Sequence, residues 1–312
     1  MSKIKLAAVV GPTAGGKTDL AIGLANAFDG EVVSCDSMQI YDFAPIATAS
    51  PTADELSRAP HHLVGILKAG DSFSVSKYAK LAHETIKEIH GRGKLPLLTG
   101  GTGLYYSTVV DNINFLDDGF DADIRKKLEV RFDMEGGEAL YAELSSIDPI
   151  AAEKISPNDR KRVIRGLEIY YATGKTPSEQ LKESKKEPSP YDLCAVGITY
   201  RDRQKLYDRI NKRVDIMLEN GLVDEAEYII KNNVNGTGMQ AIGVKELIPY
   251  FEGRVSLDEA ADKIKQESRR YAKRQFTWFK RDGRINWIYA DEICRQEVFE
   301  KAKKIVENFV NM

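Results

Sequence analysis

An uninterrupted apolar run, Leu6-Ala7-Ala8-Val9-Val10, lies near the start of the chain. After a glycine-rich interval, the segment Asp19-Leu20-Ala21-Ile22-Gly23-Leu24-Ala25-Asn26-Ala27-Phe28 carries apolar residues at helical spacing. The first pattern predicts a strand buried in a parallel sheet, and the second a helix packed against it. The rhythm then repeats. Glu31-Val32-Val33-Ser34-Cys35 predicts a second strand, ending at Asp36-Ser37-Met38-Gln39-Ile40-Tyr41. Residues 72–92 predict a helix with Tyr78, Leu81, Ile86 and Ile89 on its apolar side. Lys94-Leu95-Pro96-Leu97-Leu98-Thr99 predicts a third buried strand, ending in the turn Gly100-Gly101-Thr102-Gly103. Such alternation implies an α/β fold: a parallel sheet with helices on both faces and ligands at the carboxyl ends of the strands.

Around Asp117 the pattern changes. From there to about Pro190 it becomes helical and charged, interrupted at Gly136-Gly137, Asp148-Pro149, Ser156-Pro157 and Gly174-Lys175-Thr176-Pro177. Residues 118–187 are expected to form a small all-helical domain inserted into a core made of residues 1–117 and 188–312, with the lysine-rich stretch 182–190 as a hinge. Leu193-Cys194-Ala195-Val196-Gly197-Ile198-Thr199 returns to the sheet, and a last strand is expected near Asn286-Trp287-Ile288-Tyr289. The sequence contains no internal repeat and no low-complexity tract.

Composition narrows the class. The chain has 312 residues, 42% hydrophobic and 29% charged, which suits a soluble globular protein able to bury a core. Met1-Ser2-Lys3-Ile4-Lys5 has no signal-peptide pattern and no apolar run reaches membrane-spanning length, so a cytoplasmic protein, a monomer without a membrane partner, is expected. The three cysteines, Cys35, Cys194 and Cys294, lie far apart, which argues against a structural zinc site. A net charge of −2 means that any nucleic-acid binding must come from a local basic patch.

The glycine-rich interval is Gly11-Pro12-Thr13-Ala14-Gly15-Gly16-Lys17-Thr18, a full match to the phosphate-cradling P-loop pattern between a strand and a helix. Its backbone N–H groups and the helix N-terminus favour anionic oxygens. Lys17 adds a positive charge, and the Thr18 hydroxyl is the expected ligand of a Mg²⁺ on the phosphates. The loop thus predicts a bound di- or triphosphate, most often ATP or GTP.

Other residues offer chemistry with alternatives open. Asp36, at the end of the second strand, suits a general base beside the phosphates, a ligand of Mg²⁺, or a plain turn cap. Arg209 and Arg213 sit one turn apart on a helix over residues 206–220. They suit a phosphate clamp, or a solvated face paired with Asp202, Asp208 or Asp215. Residues 263–284 gather nine lysines and arginines with Tyr271, Phe276, Trp278 and Phe279 interleaved, a pattern for nucleic-acid contact. Weaker signals are Asn158-Asp159-Arg160-Lys161-Arg162 with Arg165, and the glycine-flanked loop Gly238-Met239-Gln240-Ala241-Ile242-Gly243-Val244-Lys245 entering a helix. His61 and His62, expected in a loop, and His83 and His90, expected on a helix, have no ligand spacing and read as structural.

Together these motifs resemble the tRNA dimethylallyltransferases (tRNA isopentenyltransferases). The resemblance covers nearly the whole chain, in order: the loop at 11–18, Asp36-Ser37-Met38-Gln39-Ile40-Tyr41, Pro60-His61-His62-Leu63, Gly100-Gly101-Thr102-Gly103-Leu104-Tyr105, Asn158-Asp159, Arg165-Gly166-Leu167-Glu168 and Arg274-Gln275-Phe276-Thr277-Trp278. It implies transfer of a dimethylallyl group from dimethylallyl diphosphate to the exocyclic amine of the adenosine 3′ of the anticodon. Thr13, Lys17 and Thr18 would then bind the leaving diphosphate with Mg²⁺, Arg213 would clamp it, and Asp36 would take the proton from the amine. Residues Asp36, Ser37, Met38 and Gln39, and Gln240 to Lys245, would surround the target base. Asn158, Asp159, Arg160, Lys161 and Arg162 would grip the anticodon stem-loop, and Thr102 would also touch tRNA. No zinc-finger cysteines occur near the C-terminal end, as in the shorter bacterial type. The competing expectations are a P-loop kinase using ATP, prenyl transfer to free AMP, and a nucleotide-switched RNA-binding protein without transfer chemistry.

Overall fold

The structure, a computed structural model, describes residues 3–68, 70–115, 122–232 and 237–312. In chain order the first elements are β1 (Ile4–Val10), α1 (Lys17–Ala27), β2 (Gly30–Ser34), α2 (Ala53–Arg58), β3 (His61–His62), α3 (Val75–Gly91), β4 (Leu95–Gly100) and α4 (Gly103–Val110). Five helices follow: α5 (Ala122–Glu135), α6 (Gly137–Ile147), α7 (Pro149–Ala152), α8 (Arg160–Thr173) and α9 (Pro177–Ser184). The chain then continues through β5 (Tyr191–Thr199), α10 (Arg203–Glu219), α11 (Leu222–Lys231), a 3₁₀ turn at Thr237–Gln240, α12 (Ile248–Phe251), α13 (Leu257–Phe279), β6 (Ile285–Tyr289) and α14 (Arg295–Asn311).

The six strands form one sheet in the order β3-β2-β4-β1-β5-β6, every neighbouring pair parallel. The apolar run at the start forms the centre: β1 pairs Ala7 with Leu97 of β4 and with Cys194 of β5, and Leu6, Val9 and Val10 are fully buried. One side of the sheet packs on α1 and α14, where Leu20, Ile22, Leu24, Val298 and Val306 meet Val9, Val32, Leu97 and Val196. Ala8, Val33 and Leu98 alternate with these and are equally buried, as are Tyr78, Ile86 and Ile89 of α3. A strand buried on both faces reads as a continuous apolar run, as these do.

The chain divides into two compact units. One comprises Met1–Phe73, Tyr78–Val110 and Pro190–Met312 and holds the sheet. The other comprises Ser74–Lys77 and Asp111–Ser189, and has its own core of Leu128, Leu140, Leu144, Val163, Ile164 and Leu167. Its helices break where the sequence carries breakers. Gly136 precedes α6, Asp148 caps α7 by accepting from the Ala151 N–H at 3.0 Å, and Gly174 ends α8 with a left-handed φ of 70°. The anticipated boundary at 117–118 lies outside the described residues.

Three local expectations need correction. His61 and His62, expected in a loop, form the edge strand β3 opposite Val32 and Val33; a two-residue strand is too short to show periodicity. On α3 the buried face runs through Ala82, with Leu81 only half-buried. The segment 238–245 does not enter a helix directly: it starts within the 3₁₀ turn Thr237–Gln240 and continues through non-helical turns before α12.

Candidate active site

The phosphate loop joins β1 to α1 in the unit that holds the sheet. Gly16 caps α1 with φ 91°, and Ala14 also lies in the left-handed region at φ 58°, so the chain turns back to present the helix start. The N–H groups of Gly16, Lys17 and Thr18 have no hydrogen-bond partner among the described residues, which leaves them for an anion. Not every amide of the loop is free, contrary to the simplest reading of the motif. The Gly15 N–H donates to the Pro12 carbonyl (3.2 Å), and the Thr13 N–H donates to Gln275 Oε1 (2.8 Å). Gly11 backs onto the Ile198 carbonyl, where a Cβ would fall 2.3 Å from the oxygen.

Helix α10 supplies the cations. Asp202 caps it, and Leu206, Ile210 and Val214 bury one stripe, so Arg209 and Arg213 project together. Arg209 Nε donates to the Ala14 carbonyl (3.0 Å), and Arg213 Nη1 donates to Thr13 Oγ1 (3.3 Å). The anticipated acids pair elsewhere among the described residues, Asp215 with Lys265 (2.6 Å) and Asp208 with Gln204 (2.8 Å), while Arg209 stays exposed and Arg213 is half-buried. Lys17 Nζ rests on the Pro12 carbonyl at 2.8 Å. Burial, with the Arg213 charge adding to it, lowers its pKa to about 8, and Asp36 only partly offsets this. Burial likewise lowers Arg213. Two cations that are costly to keep charged mark a place that an anion would stabilise.

Asp36 follows β2 on the turn at the sheet's carboxyl edge. Its Oδ1 accepts from the backbone N–H groups of Met38 (3.0 Å) and Gln39 (3.4 Å), so the cap reading holds for one oxygen. Oδ2 has no hydrogen bond among the described residues and is left for chemistry. Thr102 steadies the same turn, its Oγ1 accepting from the Ser37 N–H at 3.0 Å. Burial, reinforced by the nearby Asp36 charge, keeps the Tyr271 phenol protonated well above its ordinary range.

A cavity of about 330 Å³ unites these parts; Thr13, Lys17, Thr18, Asp36, Arg213 and Tyr271 all line it. Ser37, Met38 and Gln39 line it too, as do Gln240, Ala241, Ile242 and Lys245. Gly243 and Val244 do not: Val244 is fully buried, and Gly243 holds the turn through its N–H on Glu246 (2.8 Å). His61, read from sequence as structural, stands on the cavity wall, whereas His62 pairs with Glu31 (2.7 Å) and His83 with the Tyr191 hydroxyl (2.5 Å). Among the described residues no three His, Cys, Asp or Glu side chains group to hold a metal. Thr18 and Asp36 are among the oxygen-bearing side chains on the cavity wall.

Sequence reasoning missed Gln275 as a site residue. It lies on α13, 5% exposed, and its Nε2 donates to the Gly101 carbonyl at 3.0 Å. The turn at 100–103 is glycine-rich because side chains approach it: a Cβ on Gly101 would fall 2.0 Å from Gln275 Nε2, and one on Gly103 would fall 2.2 Å from the Trp278 ring. Gln275 and Trp278, three residues apart, share one face of α13, a pattern the sequence shows only once the turn is known to be their partner. Gly103→Ala must push that indole aside, and a loss of about 1–3 kcal/mol is expected in urea unfolding. Unchanged stability would show that the Trp278 contact is loose.

Of the remaining predicted residues Arg274 also lines the cavity, and the others lie elsewhere. In the helical unit Asp159 caps α8, accepting from the Arg162 N–H at 3.2 Å, and Asn158, Lys161 and Arg162 are exposed. The Arg160 guanidinium is already paired with Asp133 and stacked over Phe132. Within the basic segment Lys265, Arg269, Arg270 and Arg284 pair with Asp215, Asn211, Glu267 and Asp282, while Phe279 is buried in the core. Lys273, Arg274, Lys280 and Arg281 are exposed.

The model of the family described as IPP transferase matches residues 39–282, and that of isopentenyl transferase matches residues 4–63. The tRNA dimethylallyltransferase of Caldanaerobacter subterraneus subsp. tengcongensis is 46% identical over 95% of this chain and 97% of its own. That of Halalkalibacterium halodurans is 46% identical over 99% of this chain and 97% of its own. The crystal structure of the full-length tRNA isopentenylpyrophosphate transferase from Bacillus halodurans superposes with a TM-score of 0.72 at 45% identity, covering 98% of this chain and 96% of that one. A eukaryotic dimethylallyltransferase, captured acting on tRNA, superposes with a TM-score of 0.84 at 30% identity, covering 99% of this chain and 80% of that one. The chain therefore belongs to the IPP transferase family, the family of the tRNA dimethylallyltransferases.

Proposed function

We propose that this chain transfers the dimethylallyl group of dimethylallyl diphosphate to the exocyclic amine of the adenosine 3′ of the anticodon in tRNA, releasing diphosphate. One observation carries the reading: a single cavity joins a phosphate-binding loop and two half-buried cations to a carboxylate with one oxygen free of hydrogen bonds among the described residues. In the reaction the allylic C–O bond breaks and its electron pair leaves with the diphosphate. The amine nitrogen forms the new bond to carbon, and its proton goes to Asp36 Oδ2. The helix-start amides, Lys17, Thr13 and Arg213 stabilise the charge that develops on the leaving group. The Thr18 hydroxyl, an oxygen donor on the cavity wall beside the phosphate loop, suits Mg²⁺ and would hold it against the diphosphate, which leaves Asp36 Oδ2 to the proton. Bound there, the ion would supply further neutralisation of the diphosphate.

The target adenosine is stacked in the anticodon loop and must be drawn into a pocket before reaction. Ser37, Met38, Gln39, Gln240, Ala241, Ile242 and Lys245 are the cavity residues that would receive it. Lys161 and Arg162 of the helical unit, with Lys273, Arg274, Lys280 and Arg281 of the sheet unit, are the exposed cations that suit a large polyanion better than free AMP. Arg160 would contribute to RNA binding only by leaving Asp133. Turnover with dimethylallyl diphosphate and tRNA, set against turnover with ATP, tests the reading. Prenylation without ATP consumption is expected, and phosphoryl transfer from ATP without prenylation would refute it.

Lys17 gives this reading a pH dependence. A bound diphosphate favours the ammonium form, which in the free protein is already lost as pH rises through about 8. Below that pH Lys17 is charged in both states and adds no slope. Affinity for inorganic diphosphate is therefore expected to weaken above pH 8, and Lys17→Met is expected to remove that component. Calorimetric titration across the range checks it; a slope unchanged by Lys17→Met would refute the assignment.

A further inference from the structure

We propose that Gln275 is a positioning residue for the transfer: its one carboxamide fixes the separation between the loop that receives the leaving diphosphate and the turn that presents Asp36. The inference rests on the function proposed above and goes beyond it.

The contacts form an unbroken line. Gln275 Oε1 accepts from the Thr13 N–H at 2.8 Å, and Nε2 donates to the Gly101 carbonyl at 3.0 Å. Both partners are backbone groups, so the amide bridges two chain segments and not two mobile side chains. The next residue, Thr102, donates its N–H to the Cys35 carbonyl (3.2 Å) and accepts from the Ser37 N–H (3.0 Å), gripping the residues on either side of Asp36. At the other end Thr13 Oγ1 accepts from Arg213 (3.3 Å). Base, glycine turn, phosphate loop and clamping arginine are thus joined through one buried side chain. No isosteric residue preserves this: a carboxylate lacks the donor for Gly101, and an apolar chain lacks both groups. Gly101 is shaped to admit it, since any Cβ there would occupy the position of Nε2.

A misplacement of about 1 Å between nucleophile, base and leaving group costs on the order of 10²-fold in rate. Gln275→Met keeps the length of the side chain and removes the bridge. It is expected to slow single-turnover transfer by the folded protein on the order of 10²-fold, with little change in KM for dimethylallyl diphosphate. Gly101→Ala displaces the same amide from the other side and should give a similar loss. The double variant should be no slower than the slower single one, because both changes break one contact. A role confined to packing would lower the unfolding midpoint and leave kcat of the folded protein intact. If Gln275→Met does not fold, Gln275→Ala carries the same expectation. A parent chain that transfers no prenyl group overturns the function and this inference together. A parent that transfers, with Gln275→Met equally fast or the two losses additive, overturns the inference alone.

Discussion

Asp36→Asn is expected to reduce single-turnover transfer by about 10²–10⁴-fold while leaving tRNA affinity unchanged. The substitution is sparing. Its carboxamide oxygen can still accept from the Met38 and Gln39 N–H groups, so the turn that Oδ1 now caps is kept. What it loses is the second oxygen as a proton acceptor. The adenosine amine is a poor nucleophile until its proton has somewhere to go, so the loss falls on the chemical step and not on docking. Labelled dimethylallyl diphosphate with excess protein reads the step, and filter binding of tRNA reads the docking. Wild-type transfer by the variant would remove Asp36 from the reaction.

Arg213→Ala is expected to cost about 10²–10³-fold in the same assay, the scale of losing one preorganised donor to a developing anion. Arg213 is half-buried, and its guanidinium is one of the causes that hold the Lys17 pKa down. Removing it therefore has a second, independent signature. The pH above which diphosphate affinity weakens should move upward in Arg213→Ala, because Lys17 is then opposed chiefly by burial. Arg213→Lys keeps a charge but not the planar fork, and should recover only part of the rate. A rate loss without the pH shift would mean that Arg213 acts apart from Lys17.

Much of this was legible in the chain because the physics is local. A fully apolar pentapeptide before a glycine loop has few fates other than a central parallel strand, and β1 has that position. The breakers at Gly136, Asp148 and Gly174 end helices by backbone geometry, which needs no tertiary knowledge. The spacing of Arg209 and Arg213 placed both on one face, but only packing decides that the face meets the phosphate loop and not solvent. Asp36 shows the same limit: cap and chemical group proved compatible, because a carboxylate has two oxygens and the turn uses one. What sequence reasoning lost was long-range. Gln275 lies 262 residues from Thr13 and 174 from Gly101, and no periodicity links them. Likewise the two-residue strand at His61–His62 exists only through its pairing with β2. Val244 reads as a loop residue beside Lys245, yet it is part of the core that supports the loop.

The most direct measurement combines the protein with labelled dimethylallyl diphosphate, Mg²⁺ and unmodified tRNA, followed by mapping of the labelled nucleoside. The account predicts label on the exocyclic nitrogen of the adenosine 3′ of the anticodon, one diphosphate released per label, and no requirement for ATP. Absence of label in tRNA, or label elsewhere in the molecule, would contradict it.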